Sequence, residues 1–119
     1  MRPNRAEKIC EQYGSAFLPP VGEAKVGIAL GTLSKEPMNA LRISQDGSAC
    51  GWYIWGGEKM LDTPDFFQPL HVAHLPKYCA QLVPYLALAP GWRVLLAPNQ
   101  IDVWFDAALC KSNSARNDT

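Results

Sequence analysis

Long apolar runs are missing from this sequence. None approaches the roughly 18 consecutive residues that a membrane-spanning helix needs, so no helical anchor is expected. A surplus of charge is missing too. Eleven basic residues cancel eleven acidic ones, which disfavours nucleic acid as a partner, because that affinity comes largely from clustered Lys and Arg neutralising phosphates. It equally disfavours an electrostatically held membrane partner. The leading Met1-Arg2-Pro3-Asn4-Arg5-Ala6-Glu7-Lys8 has basic residues with no apolar stretch behind them. It does not read as a signal peptide, and the expected location is the cytoplasm. Histidine is scarce, with only two residues. There is no internal repeat, no low-complexity segment and no phosphate-cradling glycine motif. Gly56-Gly57 is followed by neither a GxxxxGK[ST] nor a GxGxxG pattern and reads as a turn. The four cysteines, Cys10, Cys50, Cys79 and Cys110, are widely spaced with no CxxC pair. In a reducing compartment they are expected to be free thiols that pack as small apolar groups.

What the chain has is an aromatic-rich second half. All four tryptophans fall between Gly51 and Asp106, each within a short β-type run. Large rings bury the most apolar area per residue, so this half is expected to make the core. A chain of 119 residues with 48% apolar and 18% charged residues is the size of one soluble domain. That domain is expected to span residues 1–111, with a polar, disordered tail over 112–119.

Along the chain, Ile9, Cys10 and Tyr13 have helical spacing, and Gly14 is a stop signal, which predicts a short helix over 7–13. Pro19-Pro20 forces an extended passage. Val26 to Leu33 reads as a strand or a buried loop. Leu41-Arg42-Ile43-Ser44 alternates apolar with polar, Asp46-Gly47 supplies a turn, and Trp52 to Trp55 follows as an antiparallel neighbour. Residues 58–70 read as irregular, with Asp62 or Thr63 capping a turn begun by Pro64, and Phe66 and Phe67 pinning it to the core. Leu75, Tyr78, Cys79, Leu82 and Leu86 share one helical face, so a helix is expected over 76–83, stopped or kinked by Pro84. Trp92–Ala97 and Ile101–Phe105 form a hairpin around Pro98-Asn99-Gln100. The predicted fold is α+β: an antiparallel sheet of four to five strands covered by one main helix, with a short N-terminal helix.

Several groups could carry chemistry. His71 and His74, with Cys79 five residues further on, make a thin case for zinc, which wants three or four ligands in one geometry. A Cys79–His74 nucleophile pair lacks an orienting group and an oxyanion loop. No metal, cofactor or catalytic residue is predicted. Glu58, Asp62 and Asp65 make an acidic loop opposed in sequence only by Lys59, while Asp102 and Asp106 bracket the last strand. Such carboxylates usually cap turns or face water, but on one face they would suit a basic partner. In a strand, Trp52 and Ile54 face one side while Tyr53 and Trp55 face the other. Either the strand is covered twice or one aromatic pair is an exposed interface. The candidate partner surface is therefore Tyr53, Trp55, Glu58, Asp62, Asp65 and Asp102.

One series of motifs is distinctive. Gly51-Trp52-Tyr53-Ile54-Trp55-Gly56-Gly57-Glu58, Asp62-Thr63-Pro64-Asp65-Phe66-Phe67, Pro69-Leu70-His71-Val72, Pro84-Tyr85-Leu86, Pro90-Gly91-Trp92-Arg93 and Asp102-Val103-Trp104-Phe105-Asp106 together resemble small bacterial immunity proteins, in particular the family thirty-three-like immunity domain. The likeness covers about residues 51 to 106. It implies a non-enzymatic cytoplasmic protein that binds a cognate toxin and blocks it by steric occlusion, and it brings no catalytic residues. It also implies that the recurring motifs are scaffold more than contact surface. The alternative from the residues is a non-toxin adaptor, or a homodimeric module using an exposed aromatic patch.

Overall fold

The computed structural model describes residues 5–44, 49–59 and 65–109. The expected Asp46-Gly47 turn, the Asp62–Pro64 cap, Cys110 and the 112–119 tail lie outside these residues.

Among the described residues, six strands form one sheet: β1 (Lys25–Ile28), β2 (Met38–Arg42), β3 (Ala49–Gly56), β4 (Gln68–His71), β5 (Trp92–Ala97) and β6 (Gln100–Phe105). Their spatial order is β4-β1-β3-β2-β5-β6. The sheet is mixed. β1 runs parallel to β3, and every other neighbouring pair is antiparallel. The predicted β2–β3 and β5–β6 pairs are present. The strand that the sequence did not reveal is β4, which lies in the stretch read as irregular. Pro69 conceals it, since proline cannot donate to a ladder and strands tolerate it mainly at an edge. β4 is such an edge, paired on one side with β1.

One face of the sheet carries the main core. Val26, Ile28, Met38, Ala40, Cys50, Trp52, Ile54 and Val94 project from it and meet buried residues of the helical layer. That layer starts with α1 (Arg5–Tyr13), which buries Ile9 and Cys10. Gly14 ends it as predicted, its N–H closing on the Cys10 carbonyl at 2.9 Å. The second helix is shorter than expected. α2 covers only Pro76–Cys79 and gives way to a 3-10 turn over Ala80–Tyr85. Cys79 leaves helical geometry (φ −144°, ψ 61°) and Pro84 lies inside the 3-10 turn, where the tighter winding changes the side-chain period. Leu75, Cys79, Leu82 and Leu86 are buried as expected, whereas Tyr78, on α2, is exposed.

Arg42 joins this face with its charge intact. Only 3% exposed, it donates from Nε to the Cys50 carbonyl and from one terminal nitrogen to the carbonyls of Leu18, Leu86 and Leu88. The Trp52 indole N–H donates to the same Leu86 carbonyl at 2.9 Å. These bonds tie β2 and β3 to the passage after α1 and to the end of the helical layer. Burial holds the Arg42 pKa below its ordinary value.

The other face has a smaller cluster: Ala29, Leu41 and Trp55, with Ile43, Tyr53, Phe66, Phe67 and Leu109 packed against them. Cys10, Cys50 and Cys79 are all buried free thiols. Among the described residues, no helix is long and apolar enough to cross a membrane.

Candidate functional site

Strand register decides which side chains can share a surface, because directly opposed residues of an antiparallel pair project from the same face. Tyr53 opposes Leu41, Leu41 opposes Arg93, and Arg93 opposes Trp104. One step along, Trp55 opposes Asn39, Asn39 opposes Leu95, and Leu95 opposes Asp102. Both rows lie on the face away from α1. At strand spacings of about 4.8 Å, Trp55 and Asp102 are about 14 Å apart across it.

Half of this face is roofed by the segment leading into β4. The Phe67 ring stands edge-on to Tyr53 (5.1 Å between centroids), to Trp55 (6.3 Å) and to Phe66 (4.8 Å). Gly27 makes room, because a Cβ there would come within 2.9 Å of the Tyr53 ring. Gln68 fixes the roof, donating to the Asp65 carbonyl at 2.9 Å and accepting from the Leu30 N–H at 3.1 Å. The other half of the face lies open over β5 and β6. There the Arg93 guanidinium sits 5.6 Å from the Trp104 ring centroid and pairs with Asp106 at 3.1 Å. Trp104 is 40% exposed.

The candidate residues divide accordingly. Trp55 is only 3% exposed; it lies under the roof, not on the surface, and supports Phe67 from below. Its indole N–H, among the described residues, has no hydrogen-bond partner. Tyr53 is half-buried beside it. Glu58 and Asp65 are exposed at the roofed corner, which two bonds hold in place: the Gly56 N–H donates to Thr32 Oγ1, and Asn39 Nδ2 donates to the Gly57 carbonyl. Lys35 and Lys59 line the same shallow hollow as Glu58, so the corner is less acidic than the sequence alone suggested. Asp102 is half-buried on β6, where it accepts from Gln100 at 2.6 Å. Asp62 lies outside the described residues.

The histidines and Cys79 separate. His71 and His74 line a surface hollow with Gly22, Glu23 and Ala73, their ring centroids 6.0 Å apart. Cys79 is buried in the main core, with its sulfur 4.0 Å from the Met38 sulfur, and burial raises its pKa. Among the described residues, no three His, Cys, Asp or Glu side chains converge on a cation position.

Sequence reasoning missed two residues here. Arg93 and Trp104 make the most exposed aromatic–cation contact on the face, and the signal was their equal distance from the Pro98-Asn99 turn. Arg42, read as the polar member of an alternating strand, is instead an interior anchor.

The Imm33-like domain model matches residues 5–106, so the likeness extends through the N-terminal region, where no motif stood out. No curated protein and no solved structure matches the chain.

Proposed function

We propose, from the premise that the chain belongs to the Imm33-like domain family, that it is a bacterial immunity protein acting in the cytoplasm. It binds a cognate toxin and blocks it by steric occlusion, without catalysis. The family match across residues 5–106, nearly the whole described chain, carries this reading.

The geometry supports a binding platform. One sheet face is given over to stability, and the other presents Tyr53, Glu58 and Asp65 at a braced corner, with Arg93, Trp104 and Asp102 across the open half. Tyr, Trp and Arg supply most interface hot spots. Trp55 belongs to this proposal as the support beneath Phe67.

The test is co-expression with the toxin encoded by the adjacent gene, followed by co-purification and a growth assay. The expected result is a stable complex and rescued growth. A chain that neither binds that product nor protects against it contradicts the proposal.

A further inference from the structure

The two edges of the sheet are unlike. β4 has four residues, includes Pro69 and runs directly into a 3-10 turn. Short, proline-bearing edges resist further pairing. β6 has six residues and no proline, with Ile101 53% and Phe105 51% exposed. Among the described residues, no strand lies on its outer side.

The hydrogen-bond phase of β6 is fixed by its inner neighbour. Gly91 and Asp106 continue the β5–β6 register, and the Asp106 N–H donates to the Gly91 carbonyl at 2.7 Å. Narrow pairs alternate along an antiparallel ladder, so Asp102 and Trp104 bond inward to β5. The backbone groups of Ile101, Val103 and Phe105 point outward.

We propose that this edge pairs with the same edge of a second copy of the chain, antiparallel about a two-fold axis at Val103. A two-fold axis normal to the sheet keeps each face on its own side, so paired residues must share a face. With Val103 opposite itself, Ile101 meets Phe105 of the second copy. Its outward groups then form about six ladder hydrogen bonds. Asp102 falls opposite Trp104 of the second copy, in the row that continues to the Arg93 stacked on that ring, and the contact is made twice. Sliding the axis to Asp102 sets two carboxylates face to face, which is destabilising. Sliding it to Trp104 leaves Ile101 unpaired. Either shift reduces the ladder to about four bonds. The chain's zero net charge adds no overall repulsion between copies.

This dimer does not depend on the immunity reading, because toxin binding can fail while the dimer persists. Sedimentation velocity and amide exchange on the full chain test it together. The expected result is a dimer at about 100 µM that dissociates on dilution. The N–H groups of Ile101, Val103 and Phe105 should exchange at least about tenfold faster in the dilute sample, while those of Asp102 and Trp104 stay protected throughout. Ile101→Lys should weaken the dimer about tenfold or more without shifting the unfolding midpoint of the dilute, monomeric chain. Val21→Lys, an exposed site outside β6, should leave it unchanged. A chain monomeric at that concentration overturns the proposal. So does a dimer whose three outward amides exchange freely, a dimer indifferent to Ile101→Lys, or a monomer whose β6 amides are protected only by an added extended peptide.

Discussion

The two faces of the sheet use the same kinds of residue for different ends. On the helical face, Trp52 is enclosed and its indole N–H has a carbonyl partner. On the other face, Trp55 is nearly as buried, yet its N–H has no partner among the described residues, and its cover is one short aromatic segment. A face closed by a full helical layer stores stability. A face closed by a thin roof has less to lose and more surface to offer a partner.

Truncating each ring gives the sharpest measure of that difference. Trp52→Ala should cost about 4 kcal/mol, combining a large cavity with the loss of one of the two hydrogen bonds that the Leu86 carbonyl accepts. Phe67→Ala should cost about 2 kcal/mol, because its site is partly open and can collapse. Urea denaturation of the two variants compares them directly, and equal losses would erase the contrast between the faces.

A smaller effect separates the faces by pH. Cys10 and Cys79 both belong to the helical-face core. Burial raises both thiols above the ordinary value of 9.0, outweighing for Cys10 the opposing Ser15 hydrogen bond and Arg42 charge. A folded-state pKa above the unfolded one gives stability that is complete below pH 9 and is lost as pH rises through the folded value. The urea midpoint should therefore fall as the pH is raised past 9.0. In Cys10→Ala and Cys79→Ala variants, the same rise in pH should produce a smaller fall.

The smallest stability change is expected at the surface of the roofed corner. Glu58→Lys with Asp65→Lys should shift stability by under about 0.5 kcal/mol, because both residues are exposed. Thermal unfolding checks this, and a large loss would mean that the corner is structural.

Much of this was legible in the sequence. The period-two pattern of Trp52–Trp55 placed Trp52 and Ile54 on one face and Tyr53 and Trp55 on the other, and Pro98-Asn99-Gln100 marked the β5–β6 hairpin. Gly14 marked the end of α1. Local patterns failed where a distant neighbour decides the outcome. Gln68-Pro69-Leu70-His71 becomes a strand only because β1 offers its free edge. Arg42 is buried because carbonyls from three separate segments surround it, and no spacing rule encodes that convergence. The separation of Cys79 from the two histidines arises because His71 ends β4 and His74 ends a 3-10 turn, both before the helix that carries Cys79 into the core. Asp102 joins the surface of Tyr53 only through the intervening β2 and β5.

The central claim is that the face away from the helices holds the toxin. Titration calorimetry of the purified toxin against the Glu58→Lys, Asp65→Lys double variant tests it most directly, with Val21→Lys as the control. The account predicts affinity weakened at least about tenfold for the double variant and unchanged for the control. Unchanged affinity in the folded double variant, or a loss confined to the control, would contradict it.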